Sequence, residues 1–314
     1  MLYICSSQLF MIALPKMMND LNRDTTMNKF MLLLTSVSLA TSVYAENNVP
    51  LSLKVYNADS NSFHVNSTLV YGDSEAAVID AGFSKADALR IAANVLDSGK
   101  ELTTIFISQA DPDYYFGAET LKKLFPEAKI IATPAVKKVI EEKMAKKIAY
   151  WGPKMGDNAP NNLVTPSAYQ KLSFTVDGHA IEIKGTTGLL AHRPYLWIPS
   201  QQAIVGDIAV FGDLHVWTAD VQGEAQWNAW LQQLAEMKKL SPKIVVPGHM
   251  KKDTKLDAGN LDYTSTYLTT FDKVKKNSPD SKMLINKMNT LYPNAQFPLS
   301  LNIGAKVHKG EMKW

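Results

Sequence analysis

Asp111 and Asp113 lie one residue apart in the stretch Ile105-Phe106-Ile107-Ser108-Gln109-Ala110-Asp111-Pro112-Asp113-Tyr114-Tyr115-Phe116-Gly117, with Gln109 and Tyr114 on either side. Carboxylates at that spacing can hold a hard cation or exchange protons, and an amide and a phenol beside them can donate to a developing oxyanion. The apolar run before them reads as a strand and the residues after them as a helix start. Loops at the carboxyl ends of strands are where α/β proteins carry their chemistry, because the sheet behind them stays packed.

This segment resembles the His-x-His-x-Asp-His signature, followed by Gly, of the metallo-β-lactamase fold. Gln109, Asp111 and Tyr114 stand at the three histidine positions, and Asp113 and Gly117 are unchanged. Three other places fit the family pattern in order along roughly residues 51–250. Asp80-Ala81-Gly82 is similar to its structural Asp-x-Gly, Gly206-Asp207 to the pair carrying its bridging carboxylate, and Pro247-Gly248-His249 to its late Gly-His.

The resemblance implies that a first metal would fall to Gln109, Asp111 and Thr186. Gln and Thr are poor ligands for zinc, so that site is read as lost. A second metal would fall to Asp113, Tyr114, Asp207 and His249, of which Asp113, Asp207 and His249 keep ligand chemistry. Two carboxylates and one imidazole with an open position suit a single catalytic divalent metal, Zn, Mn or Fe, and Asp111 as a further carboxylate shifts the preference toward Mn²⁺, Mg²⁺ or Fe²⁺. On this reading the metal acidifies a bound water that attacks a carbonyl, Asp111 orients the water, and Tyr114 or Gln109 donates to the oxyanion.

A second reading has no metal: Asp113 caps a helix, Asp207 closes a turn, and His249 is a hydrogen-bonded strand-end residue. Clustered carboxylates then need a nearby cation, for which Arg193 is the candidate. His192 and His215 flank strand ends near Asp207 and are either structural or replacement ligands. His64, His179 and His308 carry no motif.

The elements that must position these residues follow from periodicity. Leu51 to Val55, Phe63 to Tyr71 and Ala76 to Ile79 read as three strands of a meander, and Ser84 and Gly99 bracket an amphipathic helix over residues 86–96. After the strand Leu102 to Ile107 come a helix over 117–124, a strand over 129–133 and a helix over 134–150 with Pro at its first turn. Residues 151–166, dense in Gly and Pro, read as a long loop and a candidate lid. Strand pairs 172–176 with 179–183, joined by Asp177-Gly178, and 195–198 with 202–205 lead to a helix over 224–240, a buried strand over 243–246, and helices over 261–274 and 281–291.

Strands and helices therefore alternate with hairpins in each half. The expected fold is α/β, a four-layer αββα sandwich of two mixed sheets, metallo-β-lactamase-like, over a single domain 46–314. A doubly wound parallel sheet is the alternative, but no GxGxxG or Walker sequence follows the first strand. Trp151, Trp197, Trp217 and Tyr114-Tyr115 would border the cleft, and an aromatic pocket with few charges favours an apolar or cyclic small molecule.

Over 314 residues the chain is 46% hydrophobic and 20% charged, with a formal net charge of +3. That balance leaves no electrostatic footprint for nucleic acid. The only cysteine is Cys5, so a chain starting after it has no thiolate ligand or disulfide. Met27-Asn28-Lys29-Phe30 opens a basic start, Met31 to Ala40 is apolar, and Val43 and Ala45 stand three and one residues before a cleavable bond. This is the pattern of a secretory signal, too short for the ~20 residues that span a bilayer.

The resemblance and the export pattern together imply a periplasmic or secreted hydrolase acting on a small ester, lactone or amide. The alternative is a periplasmic binding or accessory protein that kept the fold and lost catalysis. Residues 1–45 are read as an upstream extension, 1–26, which fits no part of the signal, followed by a signal that starts at Met27 and is cleaved after Ala45. Amino-terminal sequencing of exported protein is expected to begin at Glu46, and a mature chain beginning before Met27 would refute the cleavage.

Overall fold

The structure is a computed structural model that describes residues 49–314, which fall in one compact unit. The signal segment expected from the sequence lies outside the described residues. Among the described residues no helix is long and apolar enough to cross a membrane.

The first sheet is built from β1 (Ser52–Asn57), β2 (Asn66–Tyr71), β3 (Glu75–Ile79), β4 (Glu101–Phe106), β5 (Lys129–Ala132) and β6 (Ser167–Ala168), in that spatial order. Strands β1 to β3 form the antiparallel meander, whereas β3, β4, β5 and β6 run parallel. Each parallel step needs a crossover, supplied by α1 (Lys85–Ser98), then by α2 (Pro112–Tyr115) with α3 (Ala118–Leu124), and then by α4 (Pro134–Met155).

The second sheet has the order β12-β10-β9-β8-β7, from β7 (Ser173–Val176), β8 (His179–Lys184), β9 (Tyr195–Ile198), β10 (Ala203–Val205) and β12 (Ile244–Val245). A two-stranded parallel ribbon pairs β11 (Phe211–Gly212) with β13 (His249–Met250). Helices α5 (Glu224–Lys239), α6 (Gly259–Lys276), α7 (Ser281–Leu291) and α8 (Pro298–His308) pack on this half.

The layering follows from strand alternation. In β3, Ala77 and Ile79 face the core between the sheets while Ala76 and Val78 face α1, α3 and α4. In β9, Leu196 and Ile198 join the same inter-sheet core while Tyr195 and Trp197 face the helices of the other side. Successive side chains of a strand point to opposite faces, so one sequence run serves two cores. The result is the expected αββα sandwich.

Local chemistry sets the element ends. Ser84 and Asp87 form a reciprocal capping box on α1, and Gly99 ends it in the left-handed conformation. Asp177 and Gly178 both take positive φ and close the β7–β8 hairpin.

Two expectations are corrected. The strand expected from Phe63 begins only at Asn66, because residues 60–62 form a 3-10 turn and Phe63 and His64 adopt left-handed φ of 58° and 59°. The loop expected from Trp151 begins later, because α4 continues to Met155 with Pro153 inside its last turn. A proline there removes one backbone donor but leaves the preceding turns intact, so the helix continues past Trp151.

Gly117 shows how tightly the crossover after β4 is drawn. Its N–H donates to the Gly82 carbonyl at 3.0 Å, and a Cβ at this position would overlap the Ala81 carbonyl oxygen and meet the Ala88 methyl. Gly117→Ala is therefore expected to destabilise the protein by about 1–3 kcal/mol, read as a lower urea midpoint at unchanged slope.

Candidate functional site: a buried acid–imidazole pair under an aromatic cavity

His249 is held in place by backbone on both sides. Strand β13 pairs in parallel with β11 and bridges to Val65, and the carbonyl of Gly248 accepts from the Asn66 N–H at 2.9 Å. The left-handed turn at Phe63 and His64 brings the Phe63 carbonyl to 2.8 Å from His249 Nδ1. That contact fixes the tautomer: Nδ1 carries the proton and Nε2 is left as the acceptor.

His249 Nε2 lies 3.5 Å from Asp113 Oδ2. Asp113 comes from the first turn of α2, whose start is set by Pro112. The imidazole is stacked between Phe211 and Phe297, with ring centroids at 5.2 and 6.3 Å. Burial lowers the His249 pKa to about 4. Burial, with the Asp111 charge adding to it, raises the Asp113 pKa well above the carboxylate range. Both shifts disfavour charge on the pair, and both have burial as their largest cause.

Asp111 sits at the start of α2 and pairs with Lys147 of α4 at 3.2 Å. Lys147 is the cation that sequence reasoning assigned to Arg193. Arg193 is instead buried against the Trp230 ring, with its guanidinium 3.7 Å from Asp220. Lys147 was missed because it approaches from the following crossover helix, a contact that tertiary packing alone creates.

The remaining expected site residues lie behind this pair. Asp207 is 1% exposed, and neither of its carboxyl oxygens makes a hydrogen bond of normal geometry. Burial pushes its carboxyl up to about 8, only partly offset by the backbone N–H groups of Val210 and Ala209. Tyr114 is fully buried with its hydroxyl unpartnered, packed against Gly248 beside the Asp207 backbone. Gln109 is buried with Nε2 unpartnered. Neither Tyr114 nor Gln109 reaches the cavity wall, so the oxyanion role expected of them has no geometric support here.

Asp80 has a scaffold role: both of its oxygens accept from Ser108, one from N–H at 2.8 Å and one from Oγ at 2.7 Å. This anchors the loop after β4 that carries Gln109 and Asp111. His215 is a core residue bonded to Tyr267 at 3.0 Å, and His308 bonds the Thr218 carbonyl at 3.1 Å. His192 is half-buried outside the cavity wall.

Above Asp113 and His249 opens a cavity of about 640 Å³, whose walls carry Phe63, Trp151, Trp217, Phe297 and Trp314 with lysines of α4. That volume is in the range of small-molecule sites. Three protein ligands are the minimum for a catalytic zinc-type centre. Among the described residues no three His, Cys, Asp or Glu side chains converge closely enough to hold a metal. The set expected from the sequence, Asp113, Asp207 and His249, is thus brought together at the cavity only as the Asp113–His249 pair, with Asp207 buried and outside the cavity lining. The residues present do not fit the expected centre.

With this geometry in hand, comparison with known proteins identifies the class. The family model of the metallo-beta-lactamase superfamily matches residues 61–249, and the chain belongs to that superfamily. Members generally bind zinc or other divalent metals. Solved structures share the fold at low identity. A metallo-beta-lactamase family protein from Thermus thermophilus is 13% identical with a TM-score of 0.58, covering 83% of this chain and 92% of its own. A metallo-beta-lactamase from Pontibacter korlensis is 16% identical with a TM-score of 0.51, covering 70% and 95%. No curated protein shows significant similarity.

The unpartnered Asp207 carboxyl has a measurable consequence. Its folded pKa of about 8 lies above the ordinary value of 3.8, so the folded state holds a proton that the unfolded state releases. Its contribution is fully present below pH 4, declines as pH rises toward 8, and then levels off. Asp207→Asn is expected to flatten this part of the stability–pH curve by on the order of a few kcal/mol. Denaturation midpoints of both proteins between pH 4 and 9 check it, and parallel curves would refute it.

Proposed function

We propose that the chain is a hydrolase for a small carbonyl compound, an ester, lactone or amide, that works through the Asp113–His249 pair without an assembled metal centre. The observation that carries this is a buried carboxyl and imidazole 3.5 Å apart at the floor of an aromatic cavity, with the imidazole oriented by the Phe63 carbonyl. Superfamily membership supports the hydrolytic class. The Met27 to Ala45 pattern supports export to the periplasm or beyond.

In this reading His249 Nε2 takes a proton from water as the water oxygen bonds to the substrate carbonyl carbon. The carbonyl π electrons move to oxygen, which accepts a hydrogen bond from the protonated Asp113 carboxyl. Collapse of the tetrahedral species re-forms the carbonyl and expels the leaving group, which takes the proton back from His249. An imidazole held near 4 is a weak base, so slow turnover is expected. A second reading, a binding protein without turnover, is favoured by the weakness of that base together with the lack of a three-ligand group among the described residues.

A panel of small esters, lactones and β-lactams separates these. Hydrolysis is expected to survive chelation and to fall by about 10²–10⁴ in His249→Ala and Asp113→Asn. Ligand binding with no turnover anywhere in the panel would establish the second reading. Loss on chelation with recovery on adding Mn²⁺ or Zn²⁺ would overturn the metal-free mechanism.

A further inference from the structure

The cavity has one wall with a sequence logic of its own. Lys143, Lys146, Lys147 and Tyr150 recur at i, i+3, i+4 and i+7 of α4, and all four, with Trp151 beside Tyr150, line the cavity. That spacing places them on one helix face. The facing wall comes from Ile303 of α8 and from Phe297, Trp217 and Trp314.

Charge accounting then distinguishes these lysines. Each acidic group on the cavity wall has its contact with a group other than Lys143 or Lys146. Asp111 pairs with Lys147 at 3.2 Å. Asp220 is met by Arg193 at 3.7 Å and by the indole N–H groups of Trp217 and Trp314 at 2.9 and 2.6 Å. Glu142 faces Lys138 at 3.9 Å. Asp113 lies buried at the floor, 3.5 Å from His249. Lys143 and Lys146 make no ion pair among the described residues, and both border the aromatic interior.

We propose that the cavity selects an amphipathic anion, with an apolar ring-bearing body lying among the aromatic walls and a single anionic headgroup meeting Lys143 and Lys146. This rests on the reading of the cavity as the substrate site and narrows its substrate class. It revises the expectation of a pocket with few charges. Aromatic walls supply apolar contact area and stack on planar rings, whereas two uncompensated ammonium groups at the rim favour an anion over its neutral isostere. Lys143 and Lys146 are specificity-determining residues distinct from the Asp113–His249 pair.

Two dyes with nearly the same ring system test it on the full chain. 1-Anilinonaphthalene-8-sulfonate carries one sulfonate, and N-phenyl-1-naphthylamine lacks it. The anionic dye is expected to bind more tightly, with that preference weakening as salt rises. Lys143→Glu/Lys146→Glu is expected to weaken the anionic dye by about tenfold and leave the neutral dye nearly unchanged. Ile303→Glu, which puts a charge into the facing apolar wall, is expected to weaken both.

Equal affinity for the two dyes, or loss of both in the lysine variant at unchanged melting temperature, would overturn the proposal. Undiminished binding of both dyes in Ile303→Glu would place them outside the cavity and overturn it as well. Asp113→Asn separates this claim from the catalytic one, since it is expected to retain dye selectivity while losing hydrolysis. A protein that hydrolyses nothing but keeps the anionic preference leaves the ligand class standing and removes the enzyme.

Discussion

Carboxyl groups taken out of water at one end of the sandwich constrain everything around them. Desolvation penalises the charged form of each, and each must find a partner or hold a proton. Asp80 finds two donors in Ser108 and becomes a fastener for the loop after β4. Asp113 meets an imidazole. Asp207 meets no donor in normal geometry and is raised furthest toward neutrality among those with a stated value, to about 8 against about 7 for Asp80. A set of carboxyls that would repel one another as anions is tolerated because burial keeps part of it protonated.

The imidazole is the second half of that arrangement. Two bulky residues in the left-handed region, Phe63 and His64, are a costly way to turn a chain, and such backbone persists where surrounding contacts over-determine it. Here the turn delivers the Phe63 carbonyl to His249 Nδ1, and β11 and Val65, just before β2, hold the strand from either side. The same orientation would present Nε2 to a cation in a site with enough ligands. With Tyr114 filling the space beside Gly248 and Asp207 sealed behind it, Nε2 faces a carboxyl instead.

Helix α4 joins the site to its surroundings. Lys147 neutralises Asp111 at its floor, Tyr150 and Trp151 supply wall, and Lys143 and Lys146 leave positive charge at the rim. Because the helix runs on through Pro153, Trp151 belongs to a rigid element rather than to a loop. The wall opposite depends on α8 and the residues that flank it, so helices from both halves enclose the cavity.

Most of the architecture was legible in the chain itself. Alternation in β3 and β9, the Ser84 cap, Asp177-Gly178 and the Pro and Gly punctuation act through local backbone preference, and local preference is what a sequence displays. The order of Asp80, Asp113, Asp207 and His249 along the chain likewise marked the superfamily, now shown by the family match over 61–249. Which of those residues share a space was not legible, because it depends on angstrom-scale differences between elements far apart in sequence. Tyr114 beside Gly248, Lys147 over Asp111 and Arg193 turned to Asp220 are all consequences of packing between layers. The sequence by itself determined the sandwich and the chemistry available to it. Tertiary structure decided that Asp113 and His249 face each other under the cavity while Asp207 and Tyr114 stay buried away from it, since only close packing sets which polar groups border a cavity.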